Sequence, residues 1–571
     1  MAQMMDTPFI KFAGMNTQAF RTAIADPEFS WLENVMPIGD GNLLSLDGPS
    51  AALYNIASGT IAGLYTANLN NQSWSFLLSS DGSFYGYNHS SSTGSLLAAT
   101  GTFSSVQIAQ WKNERILILD ATNGYYSFDG TNLTVIGSAS TAVVDTGGSG
   151  FTSVPTVTVG APDQTGGVQM VLTATIAGGA VTGLTIETGG TGYTSVPPVN
   201  ISGGGGSGAT AHVTLLASMH GDLIAVFGGR TWIVQGRTLL YTDVDSYSYL
   251  GGAGGNTVFT DPSLYSTITA LYVNSGYLYV FGQNSAFVIG NLQVSNGITT
   301  FSNTLVESNI GTGFPLSVQS YQNALVFFNP AGIYALFGVT PSKASDPMDG
   351  IVTNIDLVSA ITSAVAVIQS QLCYLLCVNY HDTTGYRNII LCTFNQKWFV
   401  LSQGVSRIAP IILGGQSGAV GTDSTSLYRI TSGGGASVTR KIQTKLHDFS
   451  NAIMSKLWKR IGITGVFPAT VTNVTFNYDT DTTSQSETLA LSASLVFTGA
   501  DGNPLTFTGA GSSPLTFNGK GFIIQYGSAD KLGMSGHYLG LTLELDQPGV
   551  QINSYWMQTE LQTPWSSQYG S

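Results

Sequence analysis

The residues with the most evident capacity for chemistry lie late in the chain. Arg440, Lys441, Lys445, Lys456, Lys459 and Arg460 place six of the 19 basic residues within 21 positions. Such a cluster suits phosphates, where each neutralised charge adds salt-dependent affinity. It suits better an acidic neighbouring subunit or a solvated face. Trp458, next to Lys459, has the character of an interface anchor. Asp243 and Asp245 in YTDVDSYS offer two carboxylates but no ligand loop for calcium, and read as a solvated turn. The six histidines are scattered, with no His-Glu-x-x-His, no nucleophile elbow and no phosphate-binding loop. The residues therefore point to no enzyme, no metal and no cofactor. Phe151 and Tyr193 are candidates for stacking on a receptor glycan. They also occupy equivalent positions of a repeat, which favours a shared core role.

The elements that position these residues are β-strands. Only 9% of the 571 residues are charged and 43% are hydrophobic, with 70 glycines, a turn-dense and β-rich composition. The net charge of −13 disfavours nonspecific binding to nucleic acid or an anionic membrane, although a weakly acidic wall would keep DNA from adhering inside a duct. Cys373, Cys377 and Cys392 read as buried free thiols of a reducing compartment. The amino terminus lacks a secretory pattern, and no apolar run reaches the ~18 residues of a membrane helix.

A short apolar run, a turn and a second apolar run recur seven times. Tyr321 to Gly338 (YQNALVFFNPAGIYALFG) is the clearest copy. The others start at Asn70, Trp111, His220, Val273, Gln369 and Leu413. From His220 on, the spacing is 44 to 54 residues, the length of a four-stranded propeller blade. One step of 110 residues breaks the rhythm. It contains a tandem duplication: GGSGFTSVPTVTV from Gly147 and GGTGYTSVPPVNI from Gly189 agree at eight of thirteen positions, 42 residues apart. This reads as an inserted module whose two ends lie close together. A Gly-rich stretch, Thr431 to Ala436, closes the repeating region, and strand-like sequence resumes beyond it. Within that last part LVFTG, LTFTG and LTFNG recur every ten residues from Leu495.

The expected fold is all-β, a β-propeller of about six to seven blades with an inserted duplicated β domain and a carboxy-terminal β-sandwich. The expected boundaries are 1–53 for an amino-terminal segment with a short helix over Thr17 to Ala25, 54–141 and 217–435 for the propeller, 142–216 for the insert, and 436–571 for the sandwich.

The hairpins around Asn274 and Asn323 resemble blades of the tail hub, or nozzle, proteins of short-tailed bacteriophages. KIQTKLHDFSNAIMSKLWKRIGI (Lys441 to Ile463) and GHYLGLTLELDQPGVQINSYWMQTEL (Gly536 to Leu561) resemble the sandwich of the same family. The resemblance implies a virion tail protein forming a hexameric ring that gates and conducts genomic DNA. It implies a tail adaptor and tail fibres as partners, with no catalytic residue and no stable membrane insertion. A tail fibre or adhesin binding host glycans is the alternative.

Overall fold

The computed structural model describes residues 4–137, 139–162, 168–190, 193, 196–215, 220–248, 253–307, 309–338, 340–449, 452–468, 472–481, 483–491, 522–526 and 534–561. The chain is all-β, built from many small antiparallel sheets, and among these residues its single α-helix is four residues long, Asp349–Val352. Thr17 to Ala25, expected as a short helix, forms turns instead. Asn16 and Glu28 close this stretch through side-chain hydrogen bonds, including one from the Ala25 N–H to Glu28, and no apolar stripe draws it onto a core. The repeating pentapeptides from Leu495 lie outside the described residues. No helix among the described residues is long and apolar enough to cross a membrane.

Each of the seven hairpin segments falls in its own four-stranded meander. Sheet I holds Ile61–Leu69, Gln72–Ser79, Phe84–Asn88 and Thr93–Ala98; sheet II holds Val106–Trp111, Arg115–Asp120, Gly124–Phe128 and Leu133–Val135. Sheet III runs from Leu223–Phe227 to Gly255–Val258, sheet IV from Ala270–Asn274 to Ile298–Glu307, and sheet V from Gln319–Tyr321 to Thr340–Lys343. Sheet VI comprises Thr362–Ile368, Gln371–Asp382, Gly385–Phe394 and Lys397–Leu401. Sheet VII takes Arg407–Leu413, Gln416–Thr422 and Ser426–Arg429 from late in the chain, and its fourth strand, Tyr54–Asn55, from near the beginning.

The second strands explain why the sequence shows unbroken apolar runs rather than alternation. Successive side chains on a strand point to opposite faces, and here both faces are covered. In sheet II, Ile116 and Ile118 pack with Phe76 and Phe84 of sheet I, while Leu117 and Leu119 pack with Ile224 and Ile233 of sheet III. In sheet IV, Leu278 and Val280 face sheet III, and Tyr279 and Phe281 face sheet V. Leu77 of sheet I packs with Ala409 and Ile411 of sheet VII. Leu64, Ile108, Ile224, Leu271, Gln319, Ser363 and Ile408, one from each sheet, line a single cavity of about 310 Å³.

Tight turns set the register. In six of the seven sheets the first two strands are joined by two residues that both have positive φ, as in Asn70-Asn71, Gln322-Asn323 and Gly414-Gly415. That is the type I′ geometry, whose twist matches that of the strands it joins. Sheet II uses a longer turn, with Lys112 at φ 49.

The insert is a strand exchange between its two repeats. Ala139–Ser149 pairs with Ser207–Leu215, Val171–Ala177 with Ala180–Thr188, and Thr156–Val159 with Val199–Ser202. Thr158 pairs with Asn200, its own counterpart 42 positions on, so a local two-fold axis passes between them. The pairing of Ala139 with Leu215 brings the ends of the insert together.

The carboxy-terminal unit has two sheets. One contains Val35–Ile38, Asn42–Ser45, Gln551–Leu561, Lys456–Val466 and Phe522–Tyr526, with Met4–Phe9 on the strand ending at Leu561. The other contains Glu28–Glu33, Arg440–Thr444, Leu539–Leu545, Thr472–Thr480 and Ser484–Leu491. Val474, Phe476 and Tyr478 point inward at period two, as do Leu539, Leu541, Leu543 and Leu545, and they share one core with Trp458, Ile461 and Met557. The strands of the first 53 residues thus belong to these sheets. The second sheet also continues into sheet VI, where Glu33 pairs with Val400.

Candidate functional site

A cleft with a polar lining lies where sheet VI meets the carboxy-terminal unit. It encloses about 740 Å³, and its walls carry Trp31, Glu33, Tyr380, Asp382, Arg387 and Lys441. Trp31 and Glu33 come from the strand Glu28–Glu33, and Lys441 from its antiparallel neighbour. Asp382 and Arg387 flank the hairpin between the two central strands of sheet VI.

Arg387 organises the cleft. One guanidinium nitrogen donates to both carboxylate oxygens of Glu33 at 3.1 and 3.2 Å, and Nε lies 3.0 Å from Asp382 Oδ2. The guanidinium stands 5.2 Å from the centre of the Trp31 ring. The Trp31 indole N–H in turn donates to Glu33 Oε2 at 2.7 Å. The Thr384 hydroxyl and N–H hold the Asp382 carboxyl below its ordinary range against the opposing effect of burial, with a lesser contribution from Arg387. General acid chemistry at neutral pH needs a carboxyl moved the other way. The arrangement can clamp and orient two pieces of structure, and it offers charges of both signs at its rim.

The six basic residues do not share one face. Arg440 is buried, and it donates to the carbonyls of Leu46, Val438 and Asp546 at 2.7, 3.0 and 3.1 Å. Lys456 is buried and donates to the Met454 and His537 carbonyls, both at 3.0 Å. Burial lowers the pKa of both side chains. These two long side chains satisfy carbonyls inside the carboxy-terminal unit, and so are withdrawn from any phosphate. Lys445 pairs with Asp26 at 2.9 Å, and Lys459 with Glu560 at 3.1 Å. Lys441 lines the cleft and Arg460 is exposed.

Phe151 and Tyr193 are both buried, within the two small cores of the insert. Tyr193 donates to the Gly160 carbonyl at 2.9 Å and accepts from the Met170 N–H at 3.0 Å. Neither ring is presented to a glycan. Asp243 accepts from the N–H groups of Val244 and Ala253, and Asp245 lies 3.7 Å from Lys112. No group of metal-ligating side chains occurs among the described residues. The three cysteines are buried and unpaired, and burial pushes the thiols of Cys373 and Cys377 up to about 12.

Sequence reasoning misses Trp31, Glu33, Asp382 and Arg387. They come from strands some 350 residues apart, and none stands in a local motif.

No family model matches the chain, and no curated protein matches it. Among solved structures, a chain in "Crystal Structure of Mitotic Checkpoint Complex" is similar over 71% of this chain and 94% of that chain. The identity is 11% and the TM-score 0.29, a likeness that carries no argument.

Proposed function

We propose that this protein is a structural virion protein of the distal tail of a short-tailed bacteriophage, a subunit of an oligomeric ring that gates and conducts DNA. On this reading the seven meanders are the blades of a closed β-propeller. The blades join a β-sandwich through the continuous sheet at Glu33 and Val400, so that each subunit is a stiff wall element. The resemblance of the hairpins and of the carboxy-terminal strands supports it.

The observation that carries the reading is a set of exposed large apolar side chains on a chain poor in charge. Phe20, Tyr265, Val358 and Ile453 are 77 to 96% exposed. Interfaces of permanent assemblies are depleted in charge and enriched in such side chains. The cavity shared by the seven sheets is far too small for a duplex, so a DNA duct has to lie between subunits. Native mass spectrometry of the purified protein, alone and with its tail partner, tests this. A discrete ring near six copies is expected. Trimers would favour the adhesin reading, and a protein that stays monomeric in both conditions would overturn the ring.

A further inference from the structure

Across the outer face of the second carboxy-terminal sheet, strand pairing sets side chains in straight rows. Trp31 stands opposite Gln443, Gln443 opposite Thr542, Thr542 opposite Asn477 and Asn477 opposite Ser486. Two residues along, Glu33, Lys441, Glu544, Thr475 and Thr488 follow one another in the same way. The intervening residues Leu32, Ile442, Leu543 and Phe476 face the core. Every side chain of the two rows except Trp31 is polar or charged, and all but Glu33 and Thr542 are exposed or half-buried. The cleft of about 740 Å³ takes in the Trp31 end of this face, and the sheet VI hairpin that carries Tyr380, Asp382 and Arg387 forms its other wall.

The rings of Trp31 and Tyr380 are half-buried and lie 6.2 Å apart, with Arg387 against Trp31. Glu33 is committed to Arg387 and to the Trp31 N–H. Lys441 and Glu544 are not committed. They stand opposite each other on neighbouring strands, yet among the described residues neither forms an ion pair or a side-chain hydrogen bond. Gln443 accepts from the Ser30 hydroxyl at 3.1 Å and keeps its amide N–H groups. The face thus offers an ammonium and an amide as donors and a carboxylate as acceptor, beside an aromatic pair. Charge alternates along Glu33, Lys441 and Glu544, so a polyanion or a polycation would meet its own sign. A peptide strand adds to a sheet edge, whereas the strand Arg440–Thr444 is already paired on both sides. A sugar fits, because its hydroxyls both donate and accept and its C–H face packs on an aromatic ring. Neighbouring strands lie ~4.8 Å apart, close to the length of one pyranose in a linear chain, so successive sugars would meet successive strands.

We infer that this cleft binds a neutral, linear oligosaccharide, with one pyranose against Trp31 and Tyr380 and the next ones across Gln443, Lys441 and Glu544. The inference does not rest on the ring reading, and its test does not depend on oligomeric state. The fluorescently labelled full chain is applied to an array of immobilised neutral and acidic sugars, from monosaccharides to octasaccharides. Binding to neutral trisaccharides and longer linear chains is expected, unchanged between low and high salt because no net charge is neutralised. Isothermal titration calorimetry with the best-bound oligosaccharide then compares variants whose melting curves match the parent. Gln443→Ala and Glu544→Ala should each weaken binding about fivefold or more, through the loss of a hydrogen bond. Tyr380→Ala should weaken it about tenfold, through the loss of ring contact. No binding to any immobilised sugar would overturn the inference. So would binding confined to acidic sugars and lost at high salt, or undiminished affinity in whichever of the three variants fold.

Discussion

Asn34 is the residue on which the two halves of the molecule converge. It is fully buried and holds a positive φ of 53°. Its side-chain nitrogen donates to the Thr439 carbonyl at 2.7 Å and to the Ser402 hydroxyl at 3.1 Å. Its side-chain oxygen accepts from the Ser402 N–H and from Gln403 at 3.1 and 3.2 Å. Asn34→Ala leaves these buried partners unsatisfied and should cost about 2–4 kcal/mol, read as a lower urea midpoint. A loss within ~0.5 kcal/mol would show that the junction is held elsewhere. Two histidines make stability depend on pH. Burial pushes both His89 and His447 down to about 4, with Arg429 adding to the effect at His89. His447 lies 4.2 Å from the Phe9 ring and bonds to the Tyr555 hydroxyl at 3.2 Å. The unfolded chain takes up these protons near pH 6.5 and the folded chain only near 4. The contribution is therefore complete above 6.5 and is lost as pH falls toward 4. At ~1.4 kcal/mol per unit this amounts to at most about 3 kcal/mol for each histidine. Urea midpoints measured from pH 8 to pH 4 should fall across that window, and His447→Gln should flatten the slope.

At the scale of the element, the I′ turns are the parts most open to improvement. Gln369 and Ser370 join the first two strands of sheet VI at φ values of 49° and 61°. Residues with a Cβ pay for the left-handed region, and this turn type favours Asn-Gly. The double change Gln369→Asn, Ser370→Gly should raise stability by about 1 kcal/mol, seen as a higher urea midpoint at an unchanged slope. A lower midpoint would mean that Gln369 or Ser370 makes a contact worth more than the backbone cost.

At the scale of the molecule, two features of connectivity stand out. Sheet VII is completed by Tyr54–Asn55, about 370 residues before the strand it pairs with, so this sheet joins an early segment of the chain to a late one. Such non-local pairing makes for slow folding. The insert is the opposite case, a unit with its own cores that enters and leaves at the paired residues Ala139 and Leu215. Replacing residues 140–214 with a Gly-Gly link should leave the remainder folded, with its melting temperature within about 3 °C of the parent. An insoluble product would show that the insert supports the sheets beside it.

What the sequence determined by itself is local. Apolar runs such as Ile116 to Leu119, short and bounded by Asn-, Gly- and Gln-bearing turns, read as buried strands, and their recurrence points to a set of about six to seven small sheets. The 42-residue duplication announces the insert, because identical segments fold alike. Tertiary structure decided how distant segments share one site. The clamp of Trp31, Glu33, Asp382 and Arg387 joins residues with no local pattern, and Asn34 is one asparagine among many until burial leaves it no water to bond. The basic cluster reads as a surface because charge prefers water. Arg440 and Lys456 are buried because carbonyl oxygens within the carboxy-terminal unit replace that water, and no sequence window contains those partners.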